Sequence, residues 1–317
     1  MTCPQLPVDR PLQLPEIGSW PATHHVFDAQ SVDAVEMAWA AERPLLLRGE
    51  PGTGKSQLAR AVAQVGGRAF ISEVVNARTE PQDLMWRFDA VSRLGEAQAL
   101  GRAGDARDAL EPRHFLSPGP LWWALDWTSA AAQQALARHP AAAPHAPPGW
   151  QPAHGCVLLI DEIDKADADL PNSLLECLGN RRFAVPWVQQ VVGSGDDTPP
   201  PLVILTTNEE RELPAAFLRR CLVLEYILPE PLEPWLVERG RVHFGERCDD
   251  AVLEKAAQLL VRDRAEARRA GVTPPGQAEF LDLLRAVVTL RPDTDARLAL
   301  LDTLARYAYR KQRSTAR

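Results

Sequence analysis

The chain has 317 residues, 45% of them hydrophobic and 24% charged, with a formal net charge of −7. This length and apolar content suit a globular protein with a large core, divided into two domains, and exclude a disordered or fibrous chain. The acidic balance argues against a surface built to coat nucleic acid, and no run approaches the apolar length of a membrane span.

Residues 1–7 have neither a basic start nor an apolar signal core, so the cytoplasm is the expected compartment. The five cysteines (Cys3, Cys156, Cys177, Cys221, Cys248) never form Cys-x-x-Cys and mostly lie in apolar runs, which suits reduced, buried thiols. His154 and Cys156 stand close together, but no second ligand pair follows at a metal-binding spacing.

Residues 1–27 are rich in proline and lack periodicity, which predicts an irregular arm. Residues 31–41 read as a helix. The apolar run Pro44-Leu45-Leu46-Leu47 reads as a buried parallel strand, and residues 57–65, with Leu58, Ala61, Val62 and Val65 on one face, as a helix. Between them lies Gly49-Glu50-Pro51-Gly52-Thr53-Gly54-Lys55-Ser56, a complete phosphate-binding loop in the strand, loop and helix context that the motif requires. Its glycines allow backbone conformations that a Cβ forbids, so that consecutive N–H groups and a helix N-terminus face the phosphates. Lys55 is expected to reach the β and γ phosphates and Ser56 to offer a hydroxyl to Mg²⁺. The expected nucleotide-binding stretch is therefore Gly49, Glu50, Pro51, Gly52, Thr53, Gly54, Lys55, Ser56 and Gln57.

Further strands are expected at residues 69–75, 156–160, 202–206 and 222–227, and helices at 81–93 and 173–178. A long excursion, residues 94–154, is broken by Glu111-Pro112, Ser117-Pro118-Gly119-Pro120 and an Ala/Pro-rich stretch, and reads as an insertion. Prolines 229, 231 and 234 end this unit. Four helices follow, at 235–244, 250–270, 278–289 and 295–309. The expected organisation is an arm at 1–27, an α/β core at 28–228 with a doubly wound parallel five-stranded sheet, and an all-helical domain at 229–317.

The third core strand ends in Asp161-Glu162-Ile163-Asp164-Lys165. Ligands of doubly wound sheets bind at the carboxyl ends of strands, so Asp161 is expected to serve Mg²⁺ with Ser56, and Glu162 to polarise the attacking water. Hydrolysis is thus expected beyond binding. The fourth strand ends at Thr206-Thr207-Asn208, and Asn208 suits the lytic water or the γ phosphate. A short helix then ends in Arg219-Arg220 just before the fifth strand. At a subunit edge, one of these arginines fits a finger entering the neighbour's site; the other reading is a pair of cations set favourably against a helix dipole.

Phosphate loop, Asp-Glu strand end, strand-terminal Asn, paired arginines and a helical C-terminal domain, in this order, resemble the AAA+ ATPases. The phrases Leu46 to Ser56, Leu159 to Ala166 and Leu213 to Arg220 most resemble the MoxR-like branch. The resemblance implies an AAA+ core with a helical lid, ATP and Mg²⁺ as cofactors, and a homo-oligomeric ring, hexameric, with ATP at each subunit boundary and Arg220 ahead of Arg219 at the finger position. It implies remodelling of a protein client or adaptor, one with a von Willebrand factor A domain, and an insert that residues 111–123 resemble. The indoles of Trp122, Trp123 and Trp127 fit a packed core better than a substrate-gripping pore. Where relatives offer a lid arginine to the nucleotide, this chain has Gly276. Two other functions compete: a DNA-acting or clamp-loader-like motor, which needs pore arginines drawn from Arg102, Arg107, Arg113, Arg181 and Arg182, and a nucleotide-gated scaffold without turnover, against which Glu162 argues.

Overall fold

A computed structural model describes residues 3–100, 106–193 and 199–309; Arg102 lies outside them, as does the side chain of Arg107. In chain order the first elements are β1 (Pro11–Leu14), β2 (Thr23–Val26), α1 (Ala29–Ala41), β3 (Leu45–Arg48), α2 (Lys55–Val65) and β4 (Ala69–Val74). The inserted region contributes α3 (Pro81–Met85), β5 (Trp86–Phe88), α4 (Ala90–Leu100), α5 (Ala106–Ala109), β6 (Leu116–Pro118), α6 (Pro120–Leu125) and α7 (Trp127–Leu136). Then come β7 (Cys156–Asp161), α8 (Asp169–Asn180), β8 (Arg182–Val185), β9 (Gln190–Gly193), β10 (Leu202–Thr207), α9 (Ala215–Arg220) and β11 (Leu222–Glu225). The chain closes with α10 (Leu232–Phe244), α11 (Asp250–Arg269), α12 (Gln277–Leu290) and α13 (Thr294–Ala308).

The chain forms two compact units. The first takes in Met1–Asp9, Phe27–Leu47 and Leu58–Leu224. Its centre is the expected five-stranded parallel sheet, of order β11-β3-β10-β7-β4. In β7 and β10, Leu158, Ile160, Val203 and Leu205 join one core cluster, while Val157, Leu159, Leu202 and Ile204 alternate with them and are equally buried. Both faces of the sheet are therefore covered, which is why these strands read as unbroken apolar runs.

Trp122 and Trp123 of α6 lie in that same cluster, and Trp127 packs against it. Trp122 is fully buried and its Nε1 donates to Ser129 Oγ at 2.8 Å, so its one polar atom is satisfied. The three indoles are core. Trp122→Ala should destabilise the fold by about 3–5 kcal/mol, measured by denaturant unfolding, with the slope of the transition unchanged.

Two antiparallel hairpins belong to this unit, β5 pairing with β6 and β8 with β9, and their Leu116, Phe183, Val185 and Val192 bury in its core. The helix expected over 81–93 stops at Met85, because Trp86, Arg87 and Phe88 take extended backbone to pair with Pro118, Ser117 and Leu116. The ring of Trp187, at the tip of the β8–β9 hairpin, stacks on Phe88 with centroids 3.9 Å apart and planes 3° from parallel.

The second unit takes in Arg10–Val26, Arg48–Gln57 and Glu225–Arg317. Within the stretch read as an irregular arm, β1 pairs antiparallel with β2, Leu12 opposite His25. The four helices α10 to α13 bury Leu236, Leu253, Leu260, Phe280, Leu284 and Leu301 in one cluster. At the crossing of α10 on α11, a Cβ on Gly240 would stand 2.7 Å from Leu253 Cδ2, so glycine lets the two helices approach. Among the described residues no helix is long and apolar enough to cross a membrane.

Candidate functional site

The phosphate-binding loop belongs to the second unit. Gly49, Gly52 and Gly54 have φ of +154°, +73° and +97°, conformations that side-chain-bearing residues rarely adopt. At Gly49 the requirement is also steric: a Cβ would lie 2.6 Å from the Tyr226 carbonyl oxygen. Lys55 opens α2 and is only 6% exposed. Its Nζ donates to the carbonyls of Gly49 and Glu50, both at 2.8 Å, so the ammonium sits on the loop's own backbone. Thr53 Oγ1 donates to the same Glu50 carbonyl at 3.0 Å. Ser56 and Gln57 follow in the first turn of α2, which carries no acidic side chain to offset the partial positive charge of the helix N-terminus.

The acidic strand end belongs to the first unit. Asp161 is the last residue of β7, opposite Val74 of β4. Thr206, near the end of β10, donates its hydroxyl to Asp161 Oδ1 and accepts the Glu162 N–H at 2.9 Å, tying the two acids to the neighbouring strand. Glu162 has φ of +58°, a left-handed conformation that costs a non-glycine residue on the order of 1 kcal/mol or more. Its carboxylate is held on both oxygens: Oε2 accepts from Lys165 Nζ at 2.6 Å and Oε1 from Asn208 Nδ2 at 3.2 Å. The bond to Glu162 in turn raises the Lys165 pKa. Asp164, 2% exposed, accepts the Glu210 N–H on Oδ2 at 2.8 Å, which fixes the chain just beyond Asn208.

Asp161, Glu162 and Asn208 thus come together. Lys165 and Thr206 belong to the same cluster, and sequence reasoning did not assign them to it. The Lys165 signal was available, since it stands three residues after Glu162 on a tight turn (Ile163–Lys165). The Thr206 signal was weaker, because its role depends on strand pairing.

Arg219 and Arg220 occupy the exposed last turn of α9, which is anchored by buried Phe217. Neither guanidinium has a hydrogen-bond or ion-pair partner among the described residues. The carbonyls at the end of α9 are instead capped by Arg43, whose Nη2 donates to Arg219 O at 2.7 Å and Cys221 O at 3.1 Å, and whose Nε donates to Arg220 O at 3.2 Å. Both arginines line a cavity of about 410 Å³ with Arg43 and Arg181. Of the arginines weighed for a pore, Arg181 is paired with Glu42 and Arg113 lies 3.7 Å from Glu111.

Burial pushes the thiols of Cys156 and Cys221 up to about 12 and those of Cys177 and Cys248 up to about 11, which leaves them protonated and unreactive at neutral pH. His154 Nδ1 accepts the Gln151 N–H at 3.1 Å.

Among solved structures the chain is similar to a candidate ATPase from Cytophaga hutchinsonii, at 13% identity and a TM-score of 0.38, over 87% of this chain and 78% of that one. It is also similar to RuvB, the Holliday junction branch migration motor of Thermotoga maritima, at 16% identity and a TM-score of 0.44, over 87% of this chain and 67% of that one. No curated protein matches the sequence. The family model for the AAA domain (dynein-related subfamily) matches residues 44–221, more than half of the chain and a stretch running from the first strand of the parallel sheet to the end of α9. The chain belongs to that family.

Proposed function

We propose that the chain is a Mg²⁺-dependent ATPase of the MoxR-like branch that works as a homo-oligomeric ring, a hexamer, and spends ATP hydrolysis on remodelling a protein partner. The observation that carries the catalytic part is the Glu162 carboxylate, held between Asn208 and Lys165 at the carboxyl end of a parallel strand in a chain that also bears a complete phosphate loop. The cradle fits a phosphate chain: its glycines hold backbone that a Cβ would obstruct, and Lys55 supplies the cation. Ser56 in the second unit and Asp161 in the first each offer an oxygen donor of the kind Mg²⁺ takes. When bound, the metal neutralises charge on the phosphates.

In this reading the backbone N–H groups of residues 49–57 and Lys55 hold the phosphates, and Ser56 and Asp161 hold the metal. Glu162 takes the proton of the attacking water, Asn208 fixes that water, and Arg220, ahead of Arg219, enters the neighbour's site. The domain assignment proposed with it is an arm at 1–27, an AAA+ core at 28–228 and a helical lid at 229–317. The proposed compartment is the cytoplasm, and the proposed partner is a protein with a von Willebrand factor A domain.

Titrating ATP into the parent chain and two variants tests the nucleotide assignment. Lys55→Ala should weaken binding by about 10²-fold or more, as expected when a desolvated phosphate contact is removed. Asp161→Ala should weaken binding in Mg²⁺ while leaving Mg²⁺-free binding nearly unchanged. Equal losses with and without the metal would make Asp161 purely structural, and ATP binding without turnover by the parent would favour a scaffold.

A further inference from the structure

The second unit contains an arginine that the proposed chemistry does not use. Arg264 lies in the C-terminal half of α11 and is only 4% exposed. Its Nη2 donates to Glu50 Oε2 at 2.6 Å, across 214 residues of sequence, and its Nη1 donates to the carbonyl of Pro275. One turn further along α11, Arg268 Nη2 stands 3.7 Å from the other oxygen of Glu50. A buried guanidinium shared between one carboxylate and one carbonyl holds both strongly, because losing either partner strands a charge out of water.

Pro275 precedes the contact that joins the helical region to the phosphate loop. A Cβ on Gly276 would meet the carbonyl oxygens of Pro51 and Gly52 at 3.0 and 3.2 Å, and the Ala278 N–H donates to Gly52 O at 3.0 Å. The N-terminal turn of α12 therefore lies directly on the loop backbone. It does so at Gly276, where the family resemblance would place an arginine.

Glu50 is held from two directions. Its carbonyl accepts from Lys55 Nζ and Thr53 Oγ1, and its carboxylate accepts from Arg264. A phosphate that draws the Lys55 ammonium toward itself competes with the Glu50 carbonyl for the same Nζ and can exchange that bond for its own. That exchange loosens the backbone of the one residue whose side chain Arg264 grips.

We infer that Arg264 is a positioning residue through which α11 and α12 respond to the state of the phosphate loop, by gripping Glu50 and the Pro275–Gly276 turn rather than the nucleotide. The inference rests on the nucleotide reading above. It assigns lid coupling to an ion pair with a loop side chain, in place of a direct arginine contact to ATP.

The test uses the full-length chain as parent, Glu50→Gln, Arg264→Lys and the double variant, with Lys55→Ala as control. ATP affinity is measured by titration, and hydrogen exchange is followed at the amides of residues 276–278 with and without ATP. Each single variant should weaken ATP binding by about 10-fold, and the double should lose no more than the weaker-binding single, the signature of two residues acting through one pair. ATP should change exchange at residues 276–278 in the parent, and both singles should lose that response, which a purely structural role for Arg264 would leave in place. Losses that multiply in the double, or an unchanged exchange response in Arg264→Lys, would overturn the inference. If the parent binds ATP and Lys55→Ala does not, while Glu50→Gln binds and responds like the parent, the inference fails alone. If the parent binds no ATP, the nucleotide reading fails and takes this inference with it.

Discussion

Arg220→Ala should lower ATP turnover of the assembled protein by a factor of about 10³ or more while leaving ATP affinity of the isolated subunit nearly intact. The expectation starts from the two guanidinium groups at the end of α9. They are exposed, they have no partner among the described residues, and the helix C-terminus they might have capped is already capped by Arg43. The dipole-capping alternative thus loses much of its motive. An exposed arginine with no protein partner among the described residues, placed before the last strand of the sheet, suits charge stabilisation in a neighbouring copy, where such a group lowers the barrier by roughly 4 to 7 kcal/mol. Mixing Arg220→Ala with Lys55→Ala subunits checks the arrangement: a shared site would pair an intact loop with an intact arginine and recover turnover. Mixed assemblies of verified composition with no recovery would argue for an arginine that acts only within its own subunit.

Glu162→Gln should bind ATP as the parent does and lose turnover by about 10² to 10⁴, the range for removal of a positioned general base. Glutamine keeps the shape and one carbonyl acceptor, so Asn208 retains a partner, but the amide cannot take a proton from water. Lys165 loses its carboxylate as well, and with it the largest cause of its raised pKa. Single-turnover measurements separate the outcomes, because unchanged chemistry in Glu162→Gln would remove Glu162 from the proton path whatever the steady-state rate. Recovery of the trapped complex would also provide a way to capture the proposed protein partner.

The parallel sheet and the phosphate loop were legible in the sequence because each rests on local information. A strand buried on both faces must be apolar at every position, as Leu45 to Leu47 and Val157 to Ile160 are, and the loop's glycines are demanded by its own backbone. The hairpins were not legible. Strand β5 has three residues, and its pairing partner β6 lies about thirty residues further on, past helices α4 and α5. The β8–β9 hairpin carries its stabilising stack in trans, from Trp187 to Phe88. The same distinction applies at the site: Asp161 and Glu162 announce themselves as a pair, whereas Thr206 matters only because β10 lies beside β7 in a particular register.

Gly276 has a consequence for how this chain can change over generations. With the Pro51 and Gly52 carbonyls 3.0 and 3.2 Å from where a Cβ would stand, any side chain placed there requires the loop backbone or the start of α12 to give by a few tenths of an ångström. A larger residue at this position therefore meets the loop backbone before its side chain reaches anything else. The contact between these helices and the loop is therefore easier to adjust at Arg264, Arg268 or Glu50, where side chains already meet, than at Gly276.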